Sequence, residues 1–412
     1  MNFTGLFKTA GWRIVLQLIA AASLLLLLDP LRQLTAPYPE LLLLAPYVLM
    51  LLALLLSQLF NQQRTGFLVV LTLLAYITVQ FKLQQPLTGV ETRLIYYLLT
   101  LLMPINLLLV LAMPARRLLS PGGAGFLLWI VLQLALASWL TQAIDAGQLQ
   151  EWQQSYLIIL PQISATMPLL LLLLGLVALC GAALVMSYRN LGEDMAALTC
   201  LIALMITLTR LQEPMISSLA FALCGLLLII NLIYRSHELA FIDSLTQIPG
   251  RRALENEMKH LGRHYALAMM DVDHFKKFND TYGHRMGDDV LRLMGKLLIR
   301  YAGRAKVYRY GGEEFTMLFK GKDARQCEAQ LNEFREAVAA YPLAIRDEDR
   351  EKDDDKGKRQ RGSKSKVKTV TVTISIGVAD HADGKSPSDV MKVADELLYK
   401  AKKAGRNCVV TR

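Results

Sequence analysis

Only five cysteines occur in the 412 residues, and no two of them have the spacing of a disulfide framework or a cysteine-based zinc site. Cys180, Cys200 and Cys224 fall in apolar runs, while Cys327 and Cys408 stand alone. Charge is scarce before about residue 235, where long Leu-rich runs dominate; from Arg235 onward it returns at the density of a soluble domain. No small-residue cleavage site follows the first apolar run, so that run reads as a retained span rather than a signal peptide. A composition that is 53% hydrophobic excludes a single soluble globule. A membrane half followed by a soluble half is expected.

A span needs roughly 20 apolar residues. About eight candidates are present, near 11–28, 41–60, 65–81, 94–113, 125–144, 167–187, 194–209 and 215–234, the third and seventh being the shortest. An even count puts both termini on one side. The loops on that side carry Lys8, Arg13, Arg64, Arg116, Arg117, Arg189 and Arg235, against Arg32, Lys82, Arg93 and Arg210 on the other. The positive-inside rule then favours cytoplasmic termini. A transporter would carry buried ionisable residues along a pathway, whereas these spans offer mainly Asn106 and a few Gln. The loop 145–166 is amphipathic, which suits an interfacial segment or a ligand-binding one. The net charge of +10 could suggest a nucleic-acid partner. Much of it comes from juxtamembrane Arg and from the run Arg346 to Lys368, whose alternating acidic and basic blocks read as a solvated insert, so no nucleic-acid partner is expected.

In the soluble half, Leu254, Met258 and Leu261 suggest a helix, and Ala266 to Asp273 a buried strand. Val290, Leu291, Met294, Leu297, Leu298 and Tyr301 follow helical spacing. A hairpin over Tyr308 to Phe319 comes next, then a helix carrying Cys327, Leu331, Phe334 and Val338. Thr369 to Ala379 alternates Thr/Ser with Val/Ile as one strand. Ser386-Pro387 opens a helix that ends near Gly405, and Cys408 to Thr411 is a last short strand. This order predicts a mixed sheet with helices on its faces.

Asp271 and Asp273 end the first strand, while Glu313 and Glu314 sit at the hairpin tip. If the two strands are neighbours, their acids converge at one sheet edge, as Mg²⁺ sites require. Gly311 and Gly312 allow a sharp turn and close approach of a ligand; taken alone, they suit a plain turn equally well, and the glutamates a solvated one. Lys402 and Arg406, four apart at a helix end, would clamp a triphosphate from one face or merely neutralise the helix C-terminus. Asn279 and Asp288 flank a polar, Gly-containing loop and suit the hydrogen-bonding edge of guanine, or else turn and cap chemistry. His274 and His284 lack ligand spacing and read as loop histidines.

The motifs "DSLTQIPGRR" (Asp243 to Arg252), "MDVDHFKKFNDTYGHRMGDDVL" (Met270 to Leu291), "RYGGEEF" (Arg309 to Phe315), "TISIGVA" (Thr373 to Ala379) and "ADELLYKAKKAGRN" (Ala394 to Asn407) together resemble the GGDEF family of diguanylate cyclases. The resemblance covers essentially the whole soluble half. It implies a five-stranded mixed α/β sheet of the nucleotidyl-cyclase or polymerase-palm type, which here follows the all-α multi-span membrane domain expected from the apolar runs. The organisation expected is a membrane domain at 1–234, a short helical junction at 235–242 and a GGDEF domain at 243–412 with a charged insert at 347–368.

The reaction implied joins two GTP into cyclic di-GMP with release of pyrophosphate. By position, Asp271, the Val272 carbonyl and Glu313 resemble metal ligands, and Glu314 would assist the metal site or the deprotonation of the 3′-hydroxyl; either glutamate could be the base. Asn279 and Asp288 match guanine readers. Lys276, Lys402 and Arg406 match phosphate contacts, with backbone amides around His274, Phe275 and Lys276, and Gly311 and Gly312 lie against the nucleotide. The resemblance also implies two Mg²⁺ per site, with Mn²⁺ as a substitute. It implies a homodimer, since each domain holds one GTP, and a bacterial inner-membrane protein with its cyclase domain in the cytoplasm, feeding cyclic di-GMP receptors.

Three features depart from the family pattern. Ala302 and Ala305 replace an Arg-x-x-Asp pair that binds product as an inhibitor, so no inhibitory site is expected. Gln247 and Gly250 alter the opening motif, and the charged insert interrupts the approach to the alternating strand. A degenerate domain serving as a receptor for GTP or cyclic di-GMP is the alternative reading.

Overall fold

The computed structural model describes residues 9–114, 120–159, 167–344 and 369–412. Lys8, Arg116, Arg117, part of the 145–166 loop and the whole insert 347–368 lie outside them. The chain divides into two compact units, Met1–Ser236 and His237–Arg412.

The first unit is helical: α1 (Ala10–Leu26), α2 (Leu28–Thr35), α3 (Pro39–Leu59), α4 (Gln63–Lys82), α5 (Val90–Ala112), α6 (Pro121–Ala143), α7 (Ala146–Ser155), α8 (Leu169–Arg189), α9 (Gly192–Thr209) and α10 (Ile216–Phe241), the last running across the boundary between the units. Seven of these are long and apolar enough to cross a membrane. The first expected span differs from the rest. It is broken at Leu27, where α2 turns away from α1 by 63°. Pro30 supplies the cause, because it has no N–H for the Leu26 carbonyl and its ring would collide with that oxygen in a continuous helix. The count therefore reaches eight only if the bent pair is one span.

Polar contacts sort by helix end. Arg13 bonds to the Asn190 carbonyl at 3.1 Å, and Arg64 to Glu193 at 2.9 Å and to the Met113 carbonyl. At the opposite helix ends, Arg32 pairs with Glu213 at 2.7 Å and Lys82 with Glu91 at 2.9 Å. The cations assigned to one side from sequence thus share one end wherever they are described. In the 145–166 loop, α7 is capped by Asp145, whose side chain accepts from the Gln148 amide at 2.8 Å.

The second unit contains α11 (Arg251–Met258), β1 (Tyr265–Val272), α12 (Phe275–Tyr301), β2 (Lys306–Arg309), β3 (Glu314–Lys320), α13 (Ala324–Ala339), β4 (Leu343–Ala344), β5 (Thr369–Val370), β6 (Ile374–Asp380), α14 (Pro387–Lys403) and β7 (Val409–Thr411). Five strands form a mixed sheet in the order β2-β3-β1-β6-β7, antiparallel except for the β6–β7 pair. Both faces of central β1 are covered, which is why its sequence reads as an unbroken apolar run. Ala266, Ala268, Met270 and Val272 pack with α12 and α13. Tyr265, Leu267 and Met269 face Leu397 and Leu398 of α14. Asp271 follows the second set by parity and so meets α14.

The stretch expected as one strand, Thr369 to Ala379, is two. Thr369–Val370 pairs with β4 in a separate two-stranded sheet, and only Ile374–Asp380 joins the main sheet. Alternation alone could not show where the chain leaves one partner for the other.

Candidate active site

The β1–β3 register sets Asp271 directly opposite Glu314, and the Val272 amide lies 3.4 Å from the Glu313 carbonyl. The strand pairing therefore gathers Asp271, Val272, Glu313 and Glu314 at one sheet edge. Across it, Lys402 of α14 contacts Asp271 at 2.8 Å. The tip closes through bonds from the Tyr310 and Gly311 amides to the Glu314 carbonyl at 2.8 and 3.2 Å. A Cβ on Gly311 would lie 2.5 Å from the Glu314 carboxylate, whereas one on Gly312 would meet open space.

The acids are under strain of charge. Burial raises the Asp271 pKa and Asp273 raises it further, against the opposing pull of Lys402 and Arg406. Burial raises Glu313 and Glu314 as well, with Asp271 the next contributor to both. One buried and two half-buried carboxylates with one close cation among them fit divalent metal, which relieves their repulsion and accepts oxygen ligands.

Asp273 is not part of this cluster. Its oxygens accept from Thr373 Oγ1 at 2.7 Å, Ser375 Oγ at 2.6 Å and the Asn407 amide at 3.1 Å. It ties the end of β1 to β6 and to the turn after α14. Arg406 does not share a helical face with Lys402. It lies beyond the end of α14 with φ of +65°, because Gly405, at φ +107°, turns the chain out of the helix first.

Asn279 and Asp288 sit on helix rather than on a loop. α12 runs through both, broken only at Gly283 with φ of +81°. Between the two segments Gly287 packs directly on Asn279, whose Oδ1 is buried without a hydrogen-bond partner. A buried acceptor left unmade costs about 1–3 kcal/mol, which is what a waiting donor on a ligand would offset. Phe275 is buried beneath, within 3.2 Å of where a Gly287 Cβ would stand. Asp288 and Lys276 are exposed. His274, at φ +56°, begins the turn into α12, and its carbonyl accepts from the Phe278 amide. Ala302 is buried and caps the end of α12.

Gly287→Ala separates recognition from stability. Alanine favours helix over glycine by up to about 1 kcal/mol, while its methyl would push the Asn279 amide aside. The expected result is unchanged or higher thermal stability, with the guanine-nucleotide binding that the resemblance implies weakened about tenfold, read from nucleotide titration and thermal unfolding of the same preparation.

One structural pair escaped the sequence reading. Arg309, inside "RYGGEEF", donates to Asp243 Oδ1 at 2.7 Å and to the Gly312 carbonyl at 2.7 Å. Asp243 Oδ1 also accepts from the Thr246 amide at 2.8 Å and Thr246 Oγ1 at 2.7 Å. The opening motif thus holds the glycine tip, a link that the 66-residue separation hid. Burial pushes the Asp243 carboxyl up, and the bonds from Thr246 and Arg309 outweigh it, so its pKa lies below the ordinary value. A depressed carboxylate contributes stability above its unfolded pKa of about 3.9 and loses it as pH falls through the folded value. Asp243→Asn should therefore cost about 1–3 kcal/mol near neutral pH and flatten the acid limb of a stability–pH profile. A variant whose acid limb matches the parent would refute the clamp.

The family description "Diguanylate cyclase, GGDEF domain" matches residues 240–355 and 357–408. Diguanylate cyclase VdcA of Vibrio cholerae is 34% identical over 175 residues, covering 42% of this chain and 47% of its own. Response regulator PleD of Caulobacter vibrioides is 33% identical over 192 residues, covering 44% and 38%. Among solved structures, the coiled coil and GGDEF domain of DgcB from Caulobacter crescentus, in complex with c-di-GMP, is similar at 30% identity and a TM-score of 0.38, covering 45% of this chain and 92% of that one. The chain spans less than half the length of these curated relatives. The second unit of this protein contains a GGDEF domain of the diguanylate cyclase family.

Proposed function

We propose that the chain is a membrane-anchored diguanylate cyclase that condenses two GTP into cyclic di-GMP and pyrophosphate. The observation that carries this reading is the meeting of Asp271, Glu313 and Glu314 at one sheet edge, with Asp271 set opposite Glu314. Two divalent cations held there, Mg²⁺ or Mn²⁺, would supply polarisation of the α-phosphate and a lowered pKa for the attacking 3′-hydroxyl.

The protein's own groups do the rest. Asn279, whose acceptor is buried and unpartnered, and Asp288 take the guanine edge. Lys276, Lys402 and Arg406 balance phosphate charge, with the amides that follow His274. Gly312, open on its Cβ side, lets the nucleotide lie against the hairpin tip. Glu313 or Glu314 receives the 3′-hydroxyl proton as general base. One domain offers one nucleotide site, so two domains face to face complete the reaction, and a homodimer is part of the mechanism.

Seven apolar helices support embedding in a bacterial inner membrane. The gathering of Arg13, Arg64 and Arg189 at one end supports that end as cytoplasmic, and a cytoplasmic cyclase domain is the reading that goes with it. The role of the membrane unit would be to sense a signal or to pair the chains. The deciding experiment incubates the purified full chain with GTP and Mg²⁺ and identifies the product. Cyclic di-GMP establishes the enzyme, whereas nucleotide binding without turnover would make the domain a receptor.

A further inference from the structure

A second cluster of ligand-bearing side chains lies at the opposite end of the sheet. His264 directly precedes β1, His381 directly follows β6, and Asp323 directly precedes α13. One ligand atom from each lies within 4.8 Å of the others. β1 is eight residues long, so at about 3.3 Å per residue this cluster stands roughly 23 Å from the carboxylates of the active site.

The contacts inside it are not hydrogen bonds. His264 Nδ1 is 3.8 Å and His381 Nδ1 3.9 Å from the same Asp323 oxygen, beyond hydrogen-bonding distance. His381 Nδ1 is moreover buried with no hydrogen-bond partner. Three donor atoms thus converge on a common point without satisfying one another.

Their backbones are held. The His264 carbonyl accepts from the Gly321 amide at 2.8 Å, and the His381 amide donates to the Tyr265 carbonyl at 3.1 Å. The Asp323 amide donates to Gln326 Oε1 at 3.2 Å. The two imidazoles meet edge to face with centroids 4.4 Å apart, so they enter the cluster from different directions.

We propose that His264, His381 and Asp323 form a three-ligand site for a first-row divalent cation of the zinc type. Two imidazole nitrogens and one carboxylate oxygen suit zinc or cobalt, whereas Mg²⁺ takes oxygen ligands. Zinc–ligand bonds of about 2.0–2.2 Å place tetrahedral ligands roughly 3.4 Å apart. Small rotations of the exposed His264 and half-buried Asp323 side chains close the present gaps to that spacing. Three protein ligands leave one position for water. A cation there fastens the start of β1, the end of β6 and the start of α13 to one another, and so acts on the stability of the sheet rather than on GTP.

The test titrates the purified full chain with Co²⁺ in excess Mg²⁺, which keeps the carboxylate site filled. The expected result is visible absorption of a low-coordinate Co²⁺ at one equivalent per chain, its loss on adding Zn²⁺, and a rise in the unfolding temperature of the second unit. His264→Ala and His381→Gln should each weaken Co²⁺ binding at least about tenfold, with GTP turnover in Mg²⁺ alone unchanged. His264 is 69% exposed at its side chain, so its removal leaves the fold intact. Absent Co²⁺ bands, or a His264→Ala chain that binds Co²⁺ as the parent does, would overturn the site.

Discussion

Asp271→Asn should abolish cyclic di-GMP synthesis, by about 10³-fold or more, without unfolding the protein. The amide keeps the volume of the carboxyl but brings no charge to a cation, and a loss of this size corresponds to about 4 kcal/mol of transition-state stabilisation. The stability outcome follows from sign. Asp271, Glu313 and Glu314 all have raised pKa values, with burial the largest cause; Asp271 is the next cause for both glutamates, and Asp273 adds to the rise at Asp271. Ionisation of such groups destabilises the fold as pH rises through their folded values. Neutralising one relieves the other two, and this opposes the lost contact with Lys402, so the unfolding temperature in the absence of metal should change little. Product chromatography with full-length chain, GTP and Mg²⁺, beside thermal unfolding, checks both halves. More than a tenth of parental turnover in the variant would defeat the assignment of Asp271 as a metal ligand.

Gly377→Ala should produce the largest loss of stability of any single methyl added to the sheet. Gly377 sits in the middle of β6, paired with Met269 on one side and Val410 on the other. A Cβ there would run into the backbone of Ala394, Leu397 and Leu398 on α14. Backbone atoms have no rotamer through which to escape, so the helix must lift from the sheet. Overpacking of this kind costs about 3 kcal/mol, or roughly 6–12 °C in the unfolding of a unit of this size. Because α14 carries Lys402, activity in the fraction that stays folded should fall too. A scan of the full chain that follows the second unit's transition would show it; a shift of under a degree would mean that α14 rides less closely on β6 than described.

Some of this was legible without coordinates. The apolar runs announced helices long and apolar enough to cross a membrane, since length and hydropathy are local properties. The continuous run in β1 announced a strand buried on both faces, and the acids at its end and at the glycine tip announced a charged edge. Five motifs in order were enough for the resemblance to the GGDEF family, which the matched residues 240–355 and 357–408 support. Other features were misread because local pattern does not reveal partners. Asp273 looked equivalent to Asp271, yet two hydroxyls and an amide satisfy it. "NDTYGHRMGDD" looked like a loop, but one residue, Gly283, carries the break while helix continues on both sides.

What the sequence settled by itself is the division into an apolar helical half and a charged α/β half, together with which residue types stand at each strand end. These depend on neighbours close along the chain. Tertiary structure alone decided that Asp271 faces Glu314 and Lys402, that Arg309 reaches back to Asp243, that Gly287 shelters against Asn279, and that His264, Asp323 and His381 converge at the far edge. Each of those meetings depends on strand register and helix packing, which join residues tens of positions apart and which no local periodicity encodes.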